Sequence, residues 1–172
     1  MKDLLVLLHG ESPRKSNLLL IYGVSILFTL YLWSQYKEHL STAQQLLYCV
    51  IGVDILGGII ANLTNSTKAF WQKQSLLAQS LFLGIHIVHP VLLYAIFELD
   101  RLDMAFLFVY MFVSAQILLN VSAERNRILA VLFSAVGIYC FSQWKIPLQF
   151  FWIIIAYLLK LLVGFCIRLE EE

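Results

Sequence analysis

The chain alternates between long apolar stretches and short polar ones. Ser16 to Tyr36 runs 21 residues without Asp, Glu, Lys or Arg; Gln74 to Phe97 runs 24, Met104 to Ala123 runs 20 and Ile128 to Trp144 runs 17. Two more stretches hold one charge each: Asp54 interrupts Thr42 to Asn62, and Lys160 interrupts Pro147 to Ile167. A helix needs ~20 residues to cross a hydrocarbon core ~30 Å thick. The pattern predicts six transmembrane helices joined by short loops, over about 17–35, 43–62, 75–97, 103–121, 127–144 and 147–167. The run from Phe150 to Ile155 does not alternate as the strands of a membrane barrel do. The expected fold class is an all-α, polytopic membrane protein.

Composition strengthens that reading. Of 172 residues, 60% are hydrophobic and 13% are charged, and the mean hydropathy is +0.80. Soluble domains lie nearer half apolar and a quarter charged. A net charge of +1 excludes the strongly basic balance of a nucleic-acid binder. With only 3 prolines among many aromatics, the chain is not a disordered one.

Cation placement gives an orientation. Lys2, Arg14, Lys15, Lys68, Lys73, Arg125, Arg127 and Arg168 fall on one side of an even-numbered bundle, against Lys37, Arg101 and Lys145 on the other. The positive-inside rule then makes both termini cytoplasmic, in the plasma (cytoplasmic) membrane. On that side the three N-x-S/T sequences beginning at Asn62, Asn65 and Asn120 cannot be glycosylated. Residues 1–13 read as a short interfacial segment or a disordered tail, parted from the first span by Ser12-Pro13; residues 14–169 form the transmembrane domain, and 170–172 an acidic tail. Cys49, Cys140 and Cys166 form no metal or redox motif. Trp33, Trp71, Trp144 and Trp152 lie near span ends, as interfacial anchors do.

Ionisable side chains inside a bilayer cost at least ~2.5–3.5 kcal/mol each, so they turn toward protein and find partners. Asp54 shares a helix face with Gly58, Ala61 and Asn65, a small and polar stripe fit for close helix approach. His86 and His89 share a face with Ser75 and Gln79. Pro90 follows them and denies the carbonyl of residue 86 its helical partner, so the third span should kink there. Gln116, Asn120 and Glu124 drift across one face of the fourth span. Together with Asn62 and Gln79 they suggest a polar vestibule open to the cytoplasm. Lys160 and Asp54 both lie ~12 Å from the inner ends of their helices, at 1.5 Å per residue, so they can pair; the alternative is that Lys160 snorkels to headgroups.

Three functions fit these residues. In the first, Asp54, His86 and His89 are catalytic, either ligating a divalent metal such as zinc or acting as general acid and base on a lipid or other small amphiphile. In residue types alone this set is similar to that of the membrane zinc hydrolases of the ceramidase and adiponectin-receptor class, whose seven spans and third histidine ligand have no counterpart here. In the second, the same groups serve a proton- or cation-coupled transporter, which at this size would be a homo-oligomer. In the third, the chain is a non-catalytic assembly or partner subunit.

Overall fold

The computed structural model describes residues 2–168, with side-chain surroundings from Leu5 onward; the acidic tail 170–172 lies outside the described residues. The described residues are helical throughout, with no strand among them. Helix α1 (Lys2–His9) precedes α2 (Lys15–Tyr36), and a short 3-10 turn leads into α3 (Thr42–Leu63). There follow α4 (Asn65–Gln72), α5 (Leu76–Ile85), α6 (Val88–Phe97), α7 (Arg101–Leu119), α8 (Ala123–Ser142) and α9 (Leu148–Leu158). The last helix continues into a π-helical segment, Leu159–Phe165. Five stretches are long and apolar enough to cross a membrane: Lys15–His39, Thr42–Leu63, Leu76–Phe97, Arg101–Leu119 and Leu148–Phe165. Helix α8 has 20 residues, but Glu124, Arg125 and Arg127 occupy its start and shorten its apolar part.

The helix ends follow from local chemistry. Ser41 caps α3 in a reciprocal capping box with Gln44. Thr64 ends α3 and at once caps α4, its hydroxyl accepting from Thr67 N–H. Hence Asn65 begins a separate helix and does not extend the Asp54 stripe. Ser75 caps α5 and is not a member of a histidine face. At the other end of several helices, side chains satisfy carbonyls left without N–H partners. Asn126 Nδ2 donates to Leu118 O at 2.8 Å and to Cys166 O at 3.0 Å. Lys68 Nζ donates to Ile167 O, and Arg168 to Leu119 O.

Helix α9 and the π segment form the axis of the bundle, packed against α3, α7 and α8. Leu107, Met111, Leu118, Ile153, Ile154, Leu158 and Leu161 are fully buried there. Helix α2 lies at the edge. It turns Leu19 and Leu27 outward and sets Ser25 and Thr29 against Gly57 and Gly52 of α3. Small residues at that contact let the two backbones approach closely. Tyr48, Phe97, Phe150 and Trp152 stack edge to face near the start of α3. Trp152 Nε1 donates to Tyr48 Oη at 2.6 Å, so this tryptophan is an interior strut and not a lipid anchor.

Candidate functional site

Lys160 is the second residue of the π segment, and its side chain crosses the face of α3 at Gly58. Its Nζ donates to Asp54 Oδ2 at 2.8 Å, and His89 Nε2 stands 2.7 Å from the same oxygen. The lysine and histidine side chains are 5% and 8% exposed, whereas Asp54 keeps 47% of its side chain open. Lys160 therefore turns inward instead of snorkelling. Asn62 Nδ2 donates to the Lys160 carbonyl at 3.2 Å and ties α3 to the segment that carries the lysine.

Pro90 accounts for the histidines. The third span is divided into α5 and α6 by a turn at His86–Ile87. Proline has no N–H to offer the carbonyl of His86. That oxygen instead accepts from the His89 N–H at 3.2 Å, within the turn, and from Tyr157 Oη at 3.2 Å, a hydroxyl supplied by α9. His86 Nδ1 lies 2.7 Å from Phe82 O. A carbonyl can only accept, so this nitrogen carries the proton and a neutral His86 ring leaves Nε2 bare. His89 Nδ1 faces His86 O at 3.3 Å while its Nε2 faces the carboxylate. The ring thus has oxygen acceptors for one proton or for two. The two imidazoles lie nearly parallel, 13° apart, with centroids 5.5 Å from each other.

These groups line a cavity of about 430 Å³ between α3 and the broken third span. Its walls are mostly apolar, and Val50, Ile85 and Val88 on its border are exposed. Where α2 begins and α3 ends, Leu7, Leu8 and His9 of α1 complete the lining. Trp71 Nε1 of α4 donates to Leu7 O at 3.1 Å, and Ser12 N–H to Ser66 Oγ at 3.3 Å, so α1 is docked on protein. Gly10 makes the turn after α1 with φ +76°, and any side chain there would strike the backbone of Ser66.

The vestibule expected from five polar residues is not assembled. Asn62 lines the cavity; Gln79, Gln116, Asn120 and Glu124 do not. Gln79 Nε2 donates to Gln74 O, Gln116 Oε1 accepts from Ser80 Oγ, and Asn120 Nδ2 donates back to Gln116 O. These groups bond to one another or to backbone near their own helix ends, although Gln116 Nε2 is buried without a hydrogen-bond partner among the described residues, and Glu124 is exposed in the first turn of α8. A shared helix face does not by itself make a shared site.

The metal expectation also needs correction. His89 Nε2 and the Lys160 ammonium both hold Asp54 Oδ2, so that oxygen is engaged and the ammonium beside it would repel a cation. Among the described residues no three His, Cys, Asp or Glu side chains gather as metal ligands. Zinc coordination by Asp54, His86 and His89 does not fit this arrangement. What the cluster can do is hold and pass a proton beside an apolar chamber.

The sequence carries no signal for two further residues, His9 of the cavity wall and Tyr157 of α9. His9 is 4% exposed and shares a 2.6 Å hydrogen bond with Tyr22 Oη of α2. Burial lowers the His9 pKa below its usual 6.5. Tyr157, which holds the His86 carbonyl, had no signal beyond its place in an apolar run. Nearby in α4, burial brings the Lys68 ammonium down to about 8. Comparison of the chain with protein-family models, with curated proteins and with solved structures finds no match in any of the three.

Proposed function

We propose that this chain is a six-span integral membrane protein with both termini cytoplasmic, whose Asp54–His89–Lys160 cluster performs metal-free acid–base chemistry on a lipid or other amphiphile. The observation that carries the reading is one carboxylate oxygen held at 2.7 and 2.8 Å by an imidazole and an ammonium, on the wall of an apolar cavity. Such a chamber, with few convergent polar groups, is the usual form of a small-molecule site. Its exposed apolar border admits acyl chains directly from the bilayer. His89 accepts or delivers a proton, Asp54 orients it and balances its charge, and Lys160 fixes the carboxylate.

Vesicles made from total lipid extract of the expression host, with the purified protein reconstituted into them, provide the test. Mass spectrometry should find a lipid consumed and a product formed, unchanged by a chelator and abolished by Asp54→Asn and by His89→Phe. Absence of any Asp54-dependent lipid change overturns the enzyme reading. Proton flux into those vesicles that disappears in Asp54→Asn would replace it with transport. Labelling of a cysteine at position 68 by an impermeant reagent outside cells would overturn the orientation.

A further inference from the structure

Where α2 begins, a second cavity of about 690 Å³ lies between the turn from α1 to α2 and the junction of α3 with α4. It shares no lining residue with the cavity around Asp54. Arg14 and Lys73 reach it from separate parts of the chain, and Glu11 is the one acid among its lining residues. All three side chains are exposed, and none has an ion-pair partner among the described residues. The side-chain amides of Asn17 and Asn65, also on the wall, are likewise unengaged among the described residues.

Helix α2 adds to the imbalance. Its cap residue, Arg14, supplies no side-chain acceptor, Lys15 follows, and the first turn holds no acid. The positive end of this helix therefore stands beside cations, an arrangement that a bound anion relieves.

Depth indicates the source of that anion. Arg14 directly precedes the membrane-compatible stretch Lys15–His39, and Leu63 of the cavity wall ends the stretch Thr42–Leu63. In a bilayer around those helices the cavity opens at headgroup level. Part of its wall is apolar, formed by Ile60, Leu63 and Phe70, and Leu63 is exposed. A free inorganic anion gains nothing from that surface, whereas the glyceride end of a lipid does. Two cations against one acid leave a single positive charge, which matches one phosphodiester. An arginine fork can donate to both of its free oxygens.

We propose that this cavity is a binding site for one phospholipid of single negative charge, its phosphodiester held between Arg14 and Lys73 and its glyceride end against Leu63. Asn17 and Asn65 are donors for the remaining headgroup oxygens. The site does not depend on the chemistry proposed for Asp54. The proposed orientation decides only that the cytoplasmic leaflet supplies the lipid.

The experiment uses the full chain, stripped of lipid in a non-ionic detergent, and phosphatidylglycerol with a fluorescent acyl chain followed by anisotropy. Unlabelled phosphatidylglycerol should compete at least about tenfold better than phosphatidylcholine with the same chains, while glycerol phosphate at equal concentration should not compete. A surface cation contributes about fivefold to the binding of an anionic lipid, so Arg14→Gln/Lys73→Gln should weaken binding about thirtyfold. Both residues are exposed, and an unchanged unfolding midpoint confirms that the variant is folded. Arg101→Gln/Lys145→Gln removes two cations that do not line the cavity and should leave binding as in wild type. Equal competition by phosphatidylcholine, an equal loss in the Arg101/Lys145 variant, or no loss in the Arg14/Lys73 variant overturns the proposal. Displacement by glycerol phosphate as effective as that by the lipid reassigns the cavity to a soluble phosphate and overturns the lipid. Absence of saturable binding overturns the site itself. Lipid turnover that depends on Asp54 is read separately and is unaffected by any of these results.

Discussion

A methyl group on Gly58 would collide with Cε of Lys160. The glycine is therefore the doorway through which the lysine reaches Asp54. Gly58→Ala should cost about 1–3 kcal/mol, the usual effect of overpacking a filled contact, and should dislodge the ammonium. Unfolding in mixed micelles would measure it. The double variant Gly58→Ala/Lys160→Met should recover part of the loss if the clash is with the lysine stem; no recovery would place the strain elsewhere.

The Asp54–Lys160 pair predicts a coupled response. Removing one partner leaves a charge uncompensated and should cost ~3–5 kcal/mol, while Asp54→Asn with Lys160→Met should cost less than the sum of the two single changes. A double-mutant cycle in the same micelles reads the coupling directly, and additive losses would contradict the pairing. The cycle belongs at neutral pH, where both groups are in water-like ionisation states when exposed.

Tyr157 and Pro90 should be linked through the His86 carbonyl. Tyr157→Phe leaves that oxygen with the His89 N–H as its remaining donor and should cost ~0.5–1.5 kcal/mol. Pro90→Ala returns an N–H to the helix, so in that background Tyr157→Phe should cost clearly less. Equal costs in the two backgrounds would show that the hydroxyl does not stand in for the missing N–H.

Docking of α1 should weaken in acid. A detached His9, bathed in water, takes up a proton near 6.5, whereas burial lowers its pKa in the docked state. The detached form therefore binds more protons between those two values, and docking is lost progressively as pH falls below about 6.5. Above 6.5 both forms are neutral and the docked helix keeps its full stability. Protease cleavage near Gly10 should rise as the pH is taken from about 7.5 to about 5.5 in wild type, roughly one unit either side of that value, and stay level in His9→Phe.

Much of the architecture could be read from the run lengths of apolar residues, because a hydrocarbon core sets both length and composition. The equal depth of Asp54 and Lys160 was legible for a related reason, simple arithmetic on a regular helix, but depth did not decide between pairing and snorkelling of Lys160, which the structure resolves in favour of the pair. Depth alone is a poor guide for Gln116 and Asn120: Gln116 accepts from Ser80 across α5 and α7, and Asn120 donates to the Gln116 carbonyl at the end of α7. The break at Thr64 carried a sequence signal, a cap-forming threonine in the polar run Thr64-Asn65-Ser66-Thr67, and it converts one long polar stripe into two helices. The π segment had none. It arises where α9 meets Gly164 packed on Asn62, a tertiary contact that apolar periodicity does not encode. His9 was hidden because a short apolar helix before the first span looks the same whether it lies on lipid or on protein.

The 106 positions separating Asp54 from Lys160 set an order of events during synthesis. The carboxylate enters the bilayer long before the ribosome has made its cation, and the growing chain must carry an unmatched acid through the insertion of three further helices. Until the final helix arrives, Asp54 has to rest against the translocation machinery, a histidine or trapped water. Completion of the last span is then the step that retires this debt, and nascent chains stopped short of residue 160 should be the ones that quality-control proteases remove.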